Sequence, residues 1–290
     1  MPKWRVWLMA ARLPTLSAAI VPVVVGSAAA QAQGAFNRWA FVAALFSAVM
    51  IQIGTNLAND LFDFQKGADT AERVGPVRVT QAKLLTPQQV ARGTVVSFGL
   101  AFLSGLYLIA IGGWPIFLVG LAAITAGVLY TGGPWPLAYR GLGDLFTFVF
   151  FGPVAVIGTY YVHTGRIDPV AWIASIPVGF LVTAILVVNN LRDIETDRAA
   201  GKNTLAVRIG KEATQLQYLG LVAFSYALPI VLYVRGDLSH YWLPWLTFPL
   251  SFLLIRLIFS QTGRALNKGL KGTGLLHLLF GLLFAAAFLL

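Results

Sequence analysis

The chain is dominated by long stretches that contain no charged residue. Uncharged runs occur at 13–37, 39–59, 93–139, 145–165, 169–191, 213–234, 238–255 and 272–290. A membrane-spanning helix needs about 20 mainly apolar residues, so each run is long enough to cross a bilayer. The run at 93–139 is too long for one helix, and Gly112-Gly113-Trp114-Pro115 divides it into two. The pattern predicts nine transmembrane helices.

Composition supports a membrane protein, because only 11% of the residues are charged and 58% are hydrophobic. A soluble domain carries roughly 25% charged residues. There is no cysteine, which excludes disulfides and thiolate metal sites. The predicted fold is an all-α integral membrane bundle that forms a single domain over residues 1–290.

The lysines and arginines indicate which side of the membrane each loop faces, because cytoplasmic loops are enriched in them. With the N-terminus in the cytoplasm, 18 basic residues fall inside and only Arg38, Arg166 and Arg235 fall outside. This predicts a multi-pass protein of the cell (inner) membrane whose N-terminus and acidic loops are cytoplasmic. The same bias accounts for the net charge of +10, so no nucleic-acid partner is expected.

Carboxylates are not expected to follow this bias, since they contribute little to topology. Nevertheless, nine of the eleven lie on the predicted cytoplasmic side, and only Asp168 and Asp237 lie outside. Seven of the nine fall in two short segments, 60–72 and 193–197, which follow the predicted second and sixth helices. Acidic residues gathered at two helix ends indicate a bound cation or a proton.

Within each acidic segment the polar residues recur at helical spacing. In the first segment Asn56, Asp60 and Asp63 share one helix face, with Asn59 beside them. In the second, the residues on one face are Asn189, Asn190, Asp193 and Asp197.

Aligned with each other, the two segments match at several positions, including Asn56 with Asn190 and Asp63 with Asp197. They end helices that are four apart, as a duplicated four-helix unit requires. The sequence therefore predicts two four-helix halves plus a ninth helix.

Like-charged carboxylates on one helix face repel each other unless cations neutralise them. Carboxylate and amide oxygens suit Mg²⁺, which usually retains water and bridges to substrate phosphates. The predicted metal ligands are Asn56, Asp60, Asp63, Asn190, Asp193 and Asp197, with Asn59 a further substrate contact. The cations expected to balance the charge on a departing diphosphate are Lys66, Arg73, Arg78, Arg198 and Lys202.

Two other interpretations of the acidic segments stay open. They could be solvated loop charges that merely end helices, or they could belong to a proton or cation transporter. Carriers usually keep their coupling groups in the middle of a span. In this sequence no acidic residue lies in the middle of a predicted helix.

An Asn-Asp-x-x-Asp stretch after the second helix, paired with Asp-x-x-x-Asp after the sixth, resembles the UbiA superfamily of membrane prenyltransferases. The resemblance implies that the two motifs bind Mg²⁺ and an isoprenyl diphosphate. Many members have a further Asp four residues after the equivalent of Asp63, where this chain has Gly67. Asp69 is the nearest replacement.

Longer stretches are similar to the branch of this superfamily that prenylates 1,4-dihydroxy-2-naphthoate in menaquinone synthesis. They are Asn56-Leu-Ala-Asn59-Asp60, Tyr130-Thr-Gly-Gly-Pro134 and Asn189-Asn190-Leu-Arg192-Asp193. This similarity implies transfer of a polyprenyl group onto the naphthoate with loss of CO₂ and diphosphate, giving demethylmenaquinone. Another acceptor, or a phytyl donor, remains an alternative within the same chemistry.

Several residues near the acidic segments are further candidates for substrate contacts. Gly75-Pro76 predicts a turn that aims Arg73 and Arg78 inward. Arg140 is predicted either to orient the acceptor or to pair with Asp144, four residues later. Aromatic faces stabilise cations, and the candidates for that role are Tyr130 and Tyr139.

Overall fold

A computed structural model describes residues 1–67 and 75–290, and this part of the chain contains helices and turns but no β-strand. The all-α prediction is confirmed for these residues. The helices are α1 (Lys3–Ala11), α2 (Ser17–Ala32), α3 (Arg38–Gln65), α4 (Pro87–Leu129), α5 (Gly143–Val149), α6 (Ala155–Thr164), α7 (Pro169–Arg192), α8 (Ile194–Ala199), α9 (Leu205–Val234), α10 (Phe248–Ser260) and α11 (Leu266–Leu289).

Among the described residues, six helices are long and apolar enough to cross a membrane. A seventh is obtained if α1 with its following turn and α2, which are bent by 52°, count as one span. The 43-residue helix α4 is counted as one of these six spans, although its chain is interrupted at Gly113, which has non-helical angles of φ 71° and ψ −162°. The predicted break at Gly112–Pro115 is therefore present. Because α10 is short, nine spans remain a prediction.

Helix α7 lies at the centre of the bundle. Its residues Ala174, Val178, Leu181 and Ala184 are fully buried, and they pack against neighbours that include α9 and α11. Helix packing inside a membrane depends on close van der Waals contact rather than on hydrophobic transfer. The well-packed central helix fixes the position of its own polar C-terminal end, where Asn189 to Asp193 lie.

Two glycines allow the helix that begins at α5 to lie directly against α7. A π-helical turn, Phe150–Val154, joins α5 to α6. A Cβ added at Gly152 in this turn would lie 2.9 Å from the Cα of Gly179 and 2.9 Å from the carbonyl oxygen of Ser175. Both atoms belong to backbone and cannot move aside.

Gly152→Leu is therefore expected to destabilise the bundle, by about 1–3 kcal/mol, as overpacking typically does. The matched control is Gly99→Leu, because a Cβ at the exposed Gly99 meets no atom within 4 Å. The measurement is the fraction of detergent-solubilised protein that stays monodisperse after heating. Equal heat resistance of the two variants would contradict the packing argument.

Candidate functional site

The C-terminal ends of α3 and α7 face a common cavity of about 1110 Å³. The carboxylate and amide side chains of the two helix ends form its polar end, and most of the other lining side chains are apolar. The predicted site residues that line it are Asn56, Asn59, Asp63, Arg78, Tyr130, Asn190, Asp193, Asp197 and Lys202. The structure thus brings residues of both acidic segments to one site, although they are far apart in sequence.

Asp63 contacts three side chains of the site and is 1% exposed. Arg78 donates to its Oδ2 at 3.0 Å, and the Tyr139 hydroxyl donates to its Oδ1 at 3.0 Å. The Lys202 ammonium lies 3.4 Å from the same Oδ1. Arg78 and Lys202 come from different loops, so Asp63 draws the cations of both to the mouth of the cavity.

Asp193 is held by its neighbour Arg192, whose side chain is fully buried. The guanidinium donates to Oδ1 of Asp193 at 2.8 Å and also binds Oδ2. It further donates to Asn189 at 3.0 Å and to Asn267 of α11 at 2.9 Å. Arg192 therefore fixes the end of α7 against α11. Arg192 was not among the predicted site residues. Its position next to Asp193 in the sequence was the one indication that it lies in the site.

Asp60 occupies a different environment from Asp63. Its two oxygens accept the backbone N–H groups of Val79 and Thr80, each at 3.1 Å, and the residue is 2% exposed. It does not belong to the residues that line the cavity. In this structure Asp60 fastens the segment that carries Arg78 onto α3. Its role as a metal ligand stays a prediction, and the geometry favours Asp63 for that role.

Asp60→Ala is expected to lower the free energy of unfolding by about 3–6 kcal/mol. A hydrogen bond to a charged group contributes roughly 1.5–3 kcal/mol, and this change removes two that are buried. The control is Glu195→Ala, at an exposed carboxylate that binds only its neighbour Arg198 among the described residues. Thermal stability and limited proteolysis near Val79 measure the effect. Unaltered protection of this segment would show that Asp60 does not anchor it.

The amide side chains of the site are each oriented by a specific partner. Asn56 donates to the carbonyl oxygen of Ala11 and to the Thr15 hydroxyl, both at 3.0 Å, and so connects α3 to the end of α1 and to the turn that precedes α2. Asn59 Oδ1 accepts the Thr131 hydroxyl at 2.8 Å. Asn190 donates to Asp144 at 3.3 Å.

Two ammonium groups flank the ring of Tyr139. Lys66 Nζ lies 4.8 Å and Lys202 Nζ lies 4.9 Å from the ring centroid. Lys66 also donates to the carbonyl oxygen of Thr131 at 2.6 Å. Loss of hydration lowers the pKa of Lys66, while the nearby Asp63 carboxylate opposes that shift. Lys66 and Tyr139 approach Asp63 without lining the cavity themselves.

Two residues that were predicted to contact the substrate, Arg140 and Arg198, lie at the surface and do not line the cavity. The exposed Arg140 lies with its guanidinium 3.6 Å above the ring of Trp135. The predicted alternative in which it pairs with Asp144 is wrong, since Asp144 binds Asn190 and Gln217. Arg198 is exposed and pairs with Glu195 at 3.0 Å.

The candidates Arg73 and Asp69 lie outside the described residues. Their predicted roles therefore cannot be compared with the geometry of the site, and they stay predictions.

The oxygens of the site suit a hard divalent cation, but they do not enclose one. Asp63, Asp193 and Asp197 present carboxylates to the cavity, and Asn59 and Asn190 present amides. Among the described residues no group of three or more histidine, cysteine or acidic side chains is arranged to hold a metal alone. Mg²⁺ typically retains water and uses substrate phosphate oxygens. The residues present therefore fit Mg²⁺ when a phosphate ligand completes its coordination.

Comparison with known proteins agrees with this geometry. Residues 19–278 match the model of the UbiA prenyltransferase family. The chain belongs to the UbiA prenyltransferase family. It is 40% identical to the 1,4-dihydroxy-2-naphthoate octaprenyltransferase of Mycobacterium tuberculosis (strain ATCC 25618 / H37Rv), over 97% of this chain and 96% of that one. It is 35% identical to the enzyme of that name from Escherichia coli (strain K12), over 94% and 93% of the two chains.

The UbiA fold is also apparent from a solved structure. A UbiA homolog from Archaeoglobus fulgidus bound to DMAPP and Mg²⁺ superimposes with a TM-score of 0.66, covering 98% of this chain and 99% of that one. The sequence identity is 17%, so this likeness shows a shared fold. The UbiA resemblance inferred from the two acidic segments is confirmed.

Proposed function

We propose that this protein transfers a polyprenyl group from a polyprenyl diphosphate to 1,4-dihydroxy-2-naphthoate, with Mg²⁺ as cofactor. The observation that carries the proposal is the single cavity in which carboxylates of α3 and of the α7–α8 end face an apolar interior. The names of the relatives at 40% and 35% identity support this acceptor. The products are demethylmenaquinone in its reduced form, CO₂ and diphosphate.

In this proposal the donor's diphosphate lies between Asp63 on one side and Asp193 and Asp197 on the other. These carboxylates, with Asn59 and Asn190, would hold Mg²⁺. Bound Mg²⁺ supplies positive charge that stabilises the diphosphate as it leaves. The solved relative bound to DMAPP and Mg²⁺ supports the pairing of metal and diphosphate in this family.

The cations around Asp63 have a defined task in this arrangement. Arg78 and Lys202 neutralise Asp63 before substrate binds. With Mg²⁺ and the donor bound, Asp63 would be one of the residues that hold the metal, and Arg78 and Lys202 would be available to the phosphate oxygens. Fixed donors aimed at the place where charge develops stabilise the transition state more than the ground state. Lys66, Arg73 and Arg198 are the further cations proposed for the mouth of the site.

The apolar part of the cavity is suited to the prenyl tail and to the allylic cation that forms when the diphosphate leaves. It would hold the prenyl tail and exclude water, which would otherwise capture the allylic cation. Near the polar end the cavity is lined by Tyr130, Phe146 and Phe150, and the last two rings are stacked with centroids 6.1 Å apart. Aromatic faces stabilise a nearby cation. Tyr139 is proposed to contribute from behind Asp63, and Arg140 to orient the acceptor.

The chemical balance requires no external oxidant. The electron-rich naphthoate ring attacks the allylic carbon, so that a carbon–carbon bond forms and the bond from carbon to diphosphate oxygen breaks. If attack occurs at the carbon that bears the carboxylate, loss of CO₂ restores the aromatic ring, and no proton need be removed there.

We also propose the membrane placement that the basic residues predict. The protein would cross the cell membrane in nine spans, as two four-helix halves plus a ninth helix. Its N-terminus and the acidic ends of α3 and α7 would face the cytoplasm. The donor's diphosphate would then enter from the cytoplasm while its tail lies within the bilayer among lipids.

The experiment that tests the proposed function uses purified protein with labelled geranyl, octaprenyl or phytyl diphosphate, Mg²⁺ and one acceptor at a time. Demethylmenaquinone is expected from 1,4-dihydroxy-2-naphthoate, with much less product from 4-hydroxybenzoate. Preference for the monocyclic phenol would overturn the acceptor, and preference for phytyl diphosphate would overturn the donor. Transport of a cation into proteoliposomes without any prenylated product would favour the transporter alternative.

A further inference from the structure

Three glycines line the apolar part of the cavity in a way that helix packing does not explain. Gly105 and Gly120 lie on α4, on either side of its break, and Gly158 lies on α6. A Cβ added at Gly105 or Gly120 meets no atom within 4 Å, and one at Gly158 meets only a methyl group of Val119 at 3.9 Å. By contrast, a Cβ at Gly127 would lie 2.4 Å from the Thr55 hydroxyl.

Gly120 and Gly158 lie far from the polar end of the cavity. Gly120 precedes Thr131, the partner of Asn59, by a helical rise of about 16 Å. Gly158 follows Asp144, the partner of Asn190, by a rise of about 20 Å. A geranyl tail anchored at the carboxylates is too short to extend past this depth, whereas an octaprenyl tail must do so.

The same region opens at the flank of the bundle. Phe102, Phe117 and Leu121 line the cavity and are nevertheless 49%, 43% and 53% exposed. Large apolar side chains exposed on a membrane-spanning helix face lipid. A tail that is longer than the cavity can therefore continue into the hydrocarbon, provided that the passage stays wide at the glycines.

A glycine within a helix costs about 1 kcal/mol relative to alanine. At Gly105, Gly120 and Gly158 the space beside the glycine belongs to the cavity, which is not so at Gly99. We propose that Gly105, Gly120 and Gly158 keep the passage open for long tails and so determine which donor lengths the enzyme accepts. This inference rests on the proposed function, because it assigns the apolar part of the cavity to the donor's tail. A side chain at these positions would project into the passage and exclude the distal isoprene units.

The test compares Gly120→Leu and Gly158→Leu with the wild type, using geranyl and octaprenyl diphosphate as alternative donors. The ratio of kcat/KM for octaprenyl to that for geranyl diphosphate is expected to fall at least about tenfold. A leucine side chain at either position would fill space that belongs to the cavity, and so stop the octaprenyl tail before its allylic carbon reaches the carboxylates. The value for geranyl diphosphate itself is expected to stay within about twofold.

Gly99→Leu is the matched control, because Gly99 lies on the same helix, has open space around it and does not line the cavity. Gly120→Ala and Gly158→Ala extend the test if a leucine variant fails to fold. A smaller fall in the same ratio is expected for the folded double alanine variant. An unchanged ratio in folded variants would overturn the inference. A wild-type protein that prenylates nothing with either donor would overturn the proposed function instead.

Discussion

Asp63→Asn is expected to lower turnover by about a hundredfold or more while the protein still folds. Removing a single group that stabilises transition-state charge typically costs a factor of about 10²–10³. The asparagine side chain has one oxygen, so it can still accept the hydrogen bond of either Arg78 or Tyr139, which bind different oxygens of Asp63, but it lacks the charge that attracts Mg²⁺. The measurement is product formation from labelled donor at saturating substrate, together with heat resistance of the solubilised variant.

The control for this prediction is Glu195→Gln. Glu195 lies in the second acidic segment close to Asp193, yet it is exposed and pairs with Arg198. Its turnover is expected to match that of the wild type. Wild-type turnover in Asp63→Asn would contradict the assignment of the active site to the carboxylates that line the cavity. A loss of turnover in Glu195→Gln as large as in Asp63→Asn would contradict it as well.

Chelation of divalent cations by EDTA is expected to abolish turnover, and added Mg²⁺ is expected to restore it. The described residues provide no cluster of acidic ligands able to hold the ion alone. We therefore expect weak binding of Mn²⁺, used as a spectroscopic probe, to the protein without donor. A non-reactive donor analogue such as geranyl thiodiphosphate should tighten that binding by at least about tenfold, since phosphate oxygens complete the coordination.

The matched control for the metal prediction is Asp63→Asn, in which the analogue should tighten Mn²⁺ binding much less than in the wild type. Product formation that continues in excess EDTA would contradict the role of the metal. Equally tight Mn²⁺ binding with and without the analogue would contradict a coordination that depends on substrate.

The site could be predicted from the sequence as far as helical spacing determines which residues share a face. Asn59 and Asp63 lie on one helix end, Asn190 and Asp193 on the other, and all four line the cavity. The spacing could not separate Asp60 from Asp63. That distinction depends on the segment at Val79 and Thr80, which folds back onto α3. Its backbone N–H groups donate hydrogen bonds to both oxygens of Asp60.

Other features depend on tertiary contacts that spacing does not reveal. In the sequence, Arg192 cannot be distinguished from the other arginines at the predicted cytoplasmic helix ends. Its contact with Asn267 of α11 appears only in the folded structure. Arg140 has a candidate partner four residues away, but Gln217 of α9 binds Asp144 instead. The break in α4 was predictable, because Gly113 and Pro115 both disfavour a continuous helix.

The central claim is that the donor's diphosphate lies between Asp63 and the pair Asp193 and Asp197. The most direct test is an experimental structure of the protein with geranyl thiodiphosphate and Mn²⁺, in which anomalous scattering locates the metal. We expect metal and diphosphate density bounded by these three carboxylates, with the geranyl chain directed into the apolar part of the cavity. Metal or diphosphate bound elsewhere, with this pocket empty, would contradict the account.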